Sequence, residues 1–138
     1  MKNHLKLDLQ LCFKFYKISR AILRAYQPLL NNLNLTYPQY LVMLVLWEHN
    51  NIYFSNLSKI LDLKTGTLCP ILKKMQNLEL IEKEVPNDDC RKTIIKLTLT
   101  GEKLKEEAKD IPKLILKKLN LTENELKEIN ETLKKLNF

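Results

Sequence analysis

A switch of hydrophobic period in the middle of the chain restricts its fold more than any other feature. Two helical segments, about 56–61 and 65–80, are separated by a three-residue turn, and these are the dimensions of a helix-turn-helix. Directly after them the apolar spacing shortens to roughly two residues. The β-branched runs 81–85 and 93–99 predict two strands joined by the polar turn 86–89. A hairpin in this place is the wing of a winged helix.

Long amphipathic helices flank this motif on both sides. In the first of them apolar residues recur at helical spacing, at Leu11, Phe15, Ile18, Ile22, Tyr26 and Leu29. In the last helix the same spacing connects Leu126, Ile129, Leu133 and Leu136. These stripes have no core of their own to cover, so we expect helices within 1–35 and 101–138 to bury them in a homodimer. The predicted fold class is mainly α (α+β), with one domain over 1–138 and a winged helix-turn-helix at about 36–100 between dimerisation helices.

Side-chain caps mark where several helices begin. Two segments have the sequence of a capping box, Thr36-Tyr37-Pro38-Gln39 and Thr122-Glu123-Asn124-Glu125. The helix after the first of them is apolar around most of its circumference, so we expect it to be core, with Trp47 included. Ser55 is the expected cap of the first helix in the helix-turn-helix. Thr100 is the expected cap of a later helix that bends at Pro112.

Composition excludes several classes of protein. Two glycines, neither in a Gly-rich motif, exclude a phosphate-binding loop. Cys12, Cys69 and Cys90 lie far apart, which fits neither a disulfide framework nor a zinc site, so we expect free thiols, a reducing cytoplasm, no metal and no cofactor. The longest apolar run, Tyr40 to Trp47, is far shorter than the ~20 residues that cross a bilayer, so we expect no membrane partner.

Charge is distributed unevenly along the chain. Lys and Arg outnumber Asp and Glu by 23 to 16, a net charge of +7. Residues 1–35 hold six basic and one acidic residue, whereas residues 64–96 hold seven basic and five acidic residues. Net charge therefore does not locate an interface. The fold predicts DNA binding instead, because the second helix of such a motif enters the major groove, and a twofold dimer reads half-sites centred roughly 34 Å apart.

Several segments, spread over nearly the whole chain, occur together in one known family. They are Leu11-Cys12-Phe13 with Tyr16, Tyr26-Gln27-Pro28-Leu29-Leu30, Leu35-Thr36-Tyr37-Pro38-Gln39-Tyr40, Leu46-Trp47-Glu48, Thr65-Gly66-Thr67-Leu68, Pro70-Ile71-Leu72-Lys73, Asp89-Cys90-Arg91 and Leu97-Thr98-Leu99-Thr100-Gly101. On these segments the chain resembles the MarR family of winged-helix regulators, and within it the OhrR-like branch of organic-peroxide sensors.

The resemblance implies a redox-sensing thiol at Cys12, with the hydroxyls of Tyr16 and Tyr26 beside it. Only a thiolate attacks an O–O bond, and hydroxyl donors aimed at the sulfur favour the thiolate. Tyr16 lies one helical turn from Cys12, whereas in the family's dimers the tyrosine matching Tyr26 comes from the partner subunit. Attack would give a sulfenic acid. No cysteine follows Cys90, so the chain resembles the one-cysteine type, which a small external thiol resolves.

The expected DNA contacts lie on the second helix of the motif and on the wing. The first residues of that helix reach base edges, and its N-terminus attracts a phosphate. Arg91 matches the family's minor-groove arginine, with Asp89 orienting it, and Lys92 and Lys96 are expected at phosphates. The expected DNA-binding residues are Thr65, Gly66, Thr67, Lys73, Lys74, Asp89, Arg91 and Lys92.

These inferences predict a cytoplasmic transcription regulator, most simply a repressor, that is a homodimer on an operator of double-stranded DNA and is not an enzyme. Cys69 and Cys90 are treated as incidental. One alternative is a MarR-like regulator that responds to a small phenolic or apolar ligand. Another is a thiol peroxidase using Cys12, against which stands the lack of a resolving cysteine. A third is a structural winged-helix adaptor, whose behaviour on DNA would be insensitive to salt.

Overall fold

The computed structural model describes residues 4–85 and 92–138 of the chain. Most of this part is helical and contains one small antiparallel sheet, which confirms the predicted fold class. A 3-10 turn at Leu7–Leu9 precedes the first helix. The elements are α1 Leu11–Asn31, α2 Tyr37–His49, β1 Asn51–Tyr53, α3 Phe54–Leu61, α4 Thr65–Asn77, β2 Ile81–Glu84, β3 Ile94–Leu97, α5 Leu99–Ala108, α6 Ile111–Lys118 and α7 Glu123–Leu133.

The chain forms two compact units. The terminal unit consists of residues 1–29 and 110–138, and the central unit consists of residues 30–109. The central unit contains the helix-turn-helix and the sheet, and the terminal unit contains nearly all of α1 together with α6 and α7. Across the described ranges, no helix is both long enough and apolar enough to cross a membrane.

The core of the central unit is built around α2. The predicted capping box begins this helix, since the Thr36 hydroxyl accepts from the Gln39 N–H and the Gln39 side chain accepts from the Thr36 N–H. Apolar residues cover most of the helix surface, and so it is buried on several sides. The residues with no exposed surface in this core are Val42, Met43, Leu46, Leu57, Leu68, Leu72, Met75 and Ile95.

The sheet has three strands, one more than predicted. Its order is β1-β3-β2, and both pairings are antiparallel. The predicted hairpin forms from β2 and β3, with Ile81 opposite Leu97, and its turn 86–89 lies outside the described residues. The strand that was missed, β1, pairs along the other edge of β3, with Ile52 opposite Ile95.

The helix-turn-helix forms where it was predicted. Helix α3 ends at Leu61, and the left-handed backbone of its C-cap residue Asp62 (φ 52°) turns the chain toward α4. The Ser58 hydroxyl donates to the Leu63 carbonyl at 2.5 Å and closes the turn. The prediction that Ser55 caps α3 is wrong, because α3 already begins at Phe54, with Tyr53 as its N-cap residue.

The predicted start of α5 is also wrong. Its N-cap is Thr98 rather than Thr100. The Thr98 hydroxyl accepts from the Gly101 N–H at 3.0 Å and donates to the Glu79 carbonyl at 2.6 Å, so the cap also connects α5 to the segment after α4. Two contacts at once make Thr98 the better cap, and Thr100 becomes part of the first turn.

The predicted bend at Pro112 is a break between two helices. Helix α5 ends at Ala108 and a new helix, α6, begins at Ile111. A proline cannot donate a hydrogen bond to the carbonyl four residues earlier, which here is Ala108. In the first turn of α6 the missing N–H costs little, so Pro112 ends one helix and fits the start of the next.

The terminal unit buries little of its apolar surface in a single chain. The second predicted capping box forms at its last helix, where Thr122 and Glu125 bond each other's backbone N–H. Of its described residues, only Ile111 and Ile115 are buried hydrophobic residues. The large apolar residues exposed along its three helices are Leu11, Phe15, Tyr16, Ile18, Leu23, Leu114, Leu126 and Ile129.

Candidate nucleic-acid interface and thiol site

Helix α4 presents two faces of opposite character. Leu68, Leu72 and Met75 recur at helical spacing and have no exposed surface, so they fix the inner face against the core of the central unit. The residues predicted to contact DNA from this helix are exposed, namely Thr65, Gly66, Thr67, Lys73 and Lys74. The helix contains two lysines and no carboxylate. These exposed residues form a strip with positive charges and hydroxyl groups, and the buried apolar face fixes the helix behind it.

The N-terminus of α4 is open to an approaching group. Apart from the two chain neighbours and the backbone of the helix itself, no atom of the described residues lies within 4 Å of the position where a Cβ of Gly66 would be. Lys64 is the N-cap residue, and its side chain makes no capping hydrogen bond to the first N–H groups of the helix. A helix start of this kind attracts anions through its N–H groups and its dipole.

The wing is only partly within the described residues. Lys92 is exposed, as predicted, whereas Asp89, Cys90 and Arg91 lie outside the described residues. Lys96, expected at a phosphate, has an anionic partner already. Its Nζ lies 2.7 Å from Oε2 of Glu84 across β2 and β3, and this hydrogen bond raises the pKa of Lys96 above its usual value.

The three predicted sensor residues share one unbroken helix, but a single chain does not bring them together. Cys12 and Tyr16 are exposed on neighbouring turns of α1, and Tyr26 is half-buried. Since α1 is continuous, the 14 residues from Cys12 to Tyr26 correspond to about 21 Å along its axis. A hydroxyl of the same chain cannot reach the sulfur over that distance.

Two contacts of aromatic residues were not predicted. The Trp47 side chain is only half-buried, and its Nε1–H donates to the Gly101 carbonyl at 2.9 Å, so it connects α2 to α5 besides filling the core. The guanidinium carbon of Arg20 lies 4.6 Å from the ring centre of Tyr16. The spacing of four residues between Tyr16 and Arg20 was the available signal for the second contact.

In the part of the chain that the structure describes, Cys69 and His49 do not belong to a group of side chains that could hold a metal ion. Cys69, on α4, is half-buried. His49 is exposed at the end of α2, close to Glu48. Over residues 4–85 and 92–138, no group of three or more histidine, cysteine or acidic side chains could hold a metal ion.

A helix-turn-helix with an exposed polar second helix, followed by a hairpin, defines the class of winged-helix transcription regulators. Residues 24–108 match a family model described as transcriptional regulator SarA/Rot. The chain belongs to the MarR family of winged-helix transcription regulators, as its relatives below also show.

Three relatives support this assignment. The chain is 43% identical over 131 residues to the organic hydroperoxide resistance transcriptional regulator of Bacillus subtilis, covering 95% of this chain and 89% of the relative. It is similar to reduced AbfR of Staphylococcus epidermidis bound to DNA (33% identity, 97% and 94% coverage, TM-score 0.78). It is also similar to reduced MarR from E. coli (25% identity, 91% and 95% coverage, TM-score 0.71). These relatives are transcription regulators rather than enzymes.

Proposed function

We propose that the protein is a homodimeric repressor that binds a palindromic operator and releases it when Cys12 is oxidised by an organic hydroperoxide or a related oxidant. One observation carries this proposal. Cys12 lies exposed on the continuous helix α1, one turn from Tyr16 and one turn from Phe15 of the exposed apolar stripe. The relative with 43% identity, a regulator of organic hydroperoxide resistance, supports the choice of oxidant.

The exposed apolar stripes of the terminal unit support the proposal of a dimer. Phe15 and Ile18 are 43% and 53% exposed on α1, and Ile129 is 42% exposed on α7. Apolar surface of this extent is stabilised when a second copy covers it, and a closed twofold pair is the usual arrangement. A second copy would also supply a Tyr26 hydroxyl, since the Tyr26 of the same chain is about 21 Å from Cys12 along the axis of α1.

The chemistry of the signal is a two-electron oxidation of sulfur. The Cys12 thiolate attacks the terminal oxygen of a hydroperoxide ROOH, an S–O bond forms and the O–O bond breaks. The alkoxide leaves with the hydroxyl proton as the alcohol ROH, and the sulfur becomes a sulfenate. A small external thiol then condenses with the sulfenic acid to a mixed disulfide and water. The group added to Cys12 would need space at a packed helix junction of the dimer. The two α4 helices would then move away from the spacing that matches the two half-sites.

The solved states of the relative AbfR guide the choice of the oxidised form to test. AbfR has been solved on DNA in the reduced and in the overoxidised state, and separately in a disulfide-formed state. For this chain we therefore expect the mixed disulfide, more than the sulfenate alone, to lower operator affinity. Because operator DNA is its partner in this proposal, we also place the protein in the cytoplasm.

The surface that we propose contacts DNA is the exposed strip of α4 together with the wing. Thr65 and Thr67 are suited to base edges and phosphates through their hydroxyls, and the Gly66 backbone to a phosphate. Lys73 and Lys74 are suited to phosphates further along the helix. For the wing, Lys92 is proposed at a phosphate. Arg91 keeps the minor-groove role that the family resemblance implies, and Asp89 keeps the role of orienting it.

A gel shift on the protein's own upstream DNA tests the proposal. Wild-type and Cys12→Ser proteins are each measured reduced, after one equivalent of cumene hydroperoxide, and after the peroxide followed by a small thiol. We expect the wild-type affinity to fall at least about tenfold, a loss of ~1.4 kcal/mol or more, and the Cys12→Ser affinity to stay unchanged.

Two other results would redirect the proposal. If wild type and Cys12→Ser both release the operator, a thiol other than Cys12 is the sensor. If neither releases it, oxidation is not the signal, and the alternative of a small phenolic or apolar ligand is tested on the same DNA. Reduced protein that does not bind any upstream fragment, or binds with no dependence on salt, would contradict the repressor proposal itself.

Replacing Lys74 by alanine should weaken operator binding similarly on all sequences, because a phosphate contact carries no sequence information. The slope of log affinity against log salt concentration should become shallower by about 0.9 per lost contact. Lys103→Ala is the matched control, since Lys103 is equally exposed but lies on α5. Fluorescence anisotropy between low and moderate salt gives both slopes. Equal slopes in the two variants would remove Lys74 from the interface.

A further inference from the structure

Arg20 makes a specific contact with one of the proposed sensor residues. Its guanidinium carbon lies 4.6 Å from the centre of the Tyr16 ring, well inside the ~6 Å over which a cation is attracted to an aromatic face. The two residues are one turn apart on α1, where side chains at this spacing meet. Both are exposed in the single chain, and Tyr16 keeps 61% of its surface.

The contact is not explained by ordinary ion pairing. Helix α1 contains no carboxylate, and among the described residues the ion pairs of the chain do not include Arg20. Lys14, Lys17 and Arg24 lie on the same helix, and none of them is placed over a ring in the described part of the chain. The guanidinium of Arg20 is therefore directed toward Tyr16 and not toward an anion.

We propose that Arg20 is a positioning residue of the peroxide sensor, acting on Cys12 through Tyr16. The guanidinium restricts the Tyr16 ring to one orientation. A positive charge over the ring also withdraws electron density from the phenol, so its hydroxyl donates a stronger hydrogen bond to the Cys12 thiolate. Arg20 thereby favours the reactive form of the sulfur. This inference rests on the proposed role of Cys12.

A direct effect of the Arg20 charge on Cys12 is the route that the experiment must separate from this one. The backbone positions of the two residues are eight residues apart, which corresponds to about 12 Å along the helix axis. The Arg20 side chain reaches the Tyr16 ring, one turn nearer Cys12. In the proposal the Tyr16 hydroxyl is the group that faces the sulfur, so removing that hydroxyl distinguishes the two routes.

The rate of sulfenate formation at Cys12 tests this inference. The full-length protein is treated with cumene hydroperoxide, the sulfenic acid is trapped with dimedone, and peptide mass spectrometry separates Cys12 from the other thiols. We expect Arg20→Gln to slow the reaction roughly three- to fivefold, as loss of one exposed cation–π contact implies. Arg20→Lys should restore most of the rate. Arg24→Gln, with the same change of charge on the same helix, should react like wild type.

A double-mutant cycle shows whether Arg20 acts through Tyr16. In the Tyr16→Phe background the ring remains but the hydroxyl is absent, so we expect Arg20→Gln to have no further effect on the rate. Thermal melting checks that each variant is folded. If Arg20→Gln is unfolded, the rate of Arg20→Lys is compared with that of wild type instead.

The inference is overturned if Arg20→Gln reacts like Arg24→Gln, or if its effect persists in the Tyr16→Phe background. Either result leaves the proposed function intact as long as wild-type Cys12 is oxidised. If wild-type Cys12 is not oxidised at all, the proposed function fails, and the role of Arg20 fails with it.

Discussion

Replacing Gly101 by alanine is expected to lower the free energy of unfolding by about 2 kcal/mol or more and the melting temperature by roughly 8 °C. An alanine Cβ would lie 2.4 Å from the Leu80 carbonyl oxygen and 2.7 Å from Cδ1 of Leu97. The Leu80 carbonyl already accepts from the Thr98 N–H, and the Gly101 carbonyl accepts from Trp47, so relief of the clash disturbs both bonds. Overpacking of ~3 kcal/mol outweighs the gain of up to ~1 kcal/mol in helix propensity.

Gly66→Ala is the matched control for this prediction. Gly66 also lies in the first turn of a helix, but no atom meets its Cβ, so alanine should be neutral or stabilising by up to ~1 kcal/mol. Urea denaturation followed by circular dichroism measures both variants, at one protein concentration because a dimer's stability depends on it. If the two substitutions shift the midpoint equally, the close packing of Gly101 against Leu80 does not exist in solution.

Features decided by neighbouring residues were predictable from the sequence. Both capping boxes formed because their hydrogen bonds join residues three apart, and a four-residue pattern contains every atom involved. The helix-turn-helix followed from the apolar spacing of α4, whose inner face is buried as expected. The start of α5 was not decided locally. Thr98 and Thr100 are both good caps in sequence, and only the distant Glu79 carbonyl favours Thr98.

Features decided by distant contacts were missed. Strand β1 has three residues and exists because the edge of β3 is free to pair with it, which no pattern within 51–53 reveals. The bond from Trp47 to Gly101 joins residues far apart in the chain. For the candidate site, the exposure of the strip on α4 was predictable, because the apolar spacing of this helix leaves the opposite face exposed. The sensor stays a prediction, since its proposed completion by Tyr26 depends on a second chain.

Replacing Ile18 by glutamate is expected to raise the dimer dissociation constant more than about a hundredfold, a cost of ~2.7 kcal/mol or more. Ile18 is 53% exposed on α1, in the middle of the apolar stripe that we propose a second copy covers. A carboxylate there must either lose its water without a partner or keep the two chains apart, and both outcomes weaken association. Operator affinity should fall as well, because each half-site is then bound separately.

Gln27→Glu separates the effect of the interface from that of charge. Gln27 is exposed on the same helix, and the nine residues from Ile18 place it about 180° around the axis, on the face opposite the stripe. Both variants add one negative charge, so a general repulsion would affect them equally, whereas loss of a specific interface affects Ile18→Glu alone. Sedimentation equilibrium gives the dissociation constants, and circular dichroism checks that the helices are retained. If Ile18→Glu associates as tightly as Gln27→Glu, the stripe on α1 is not the dimer interface, and Tyr26 of a second chain is not brought to Cys12 in the way we propose.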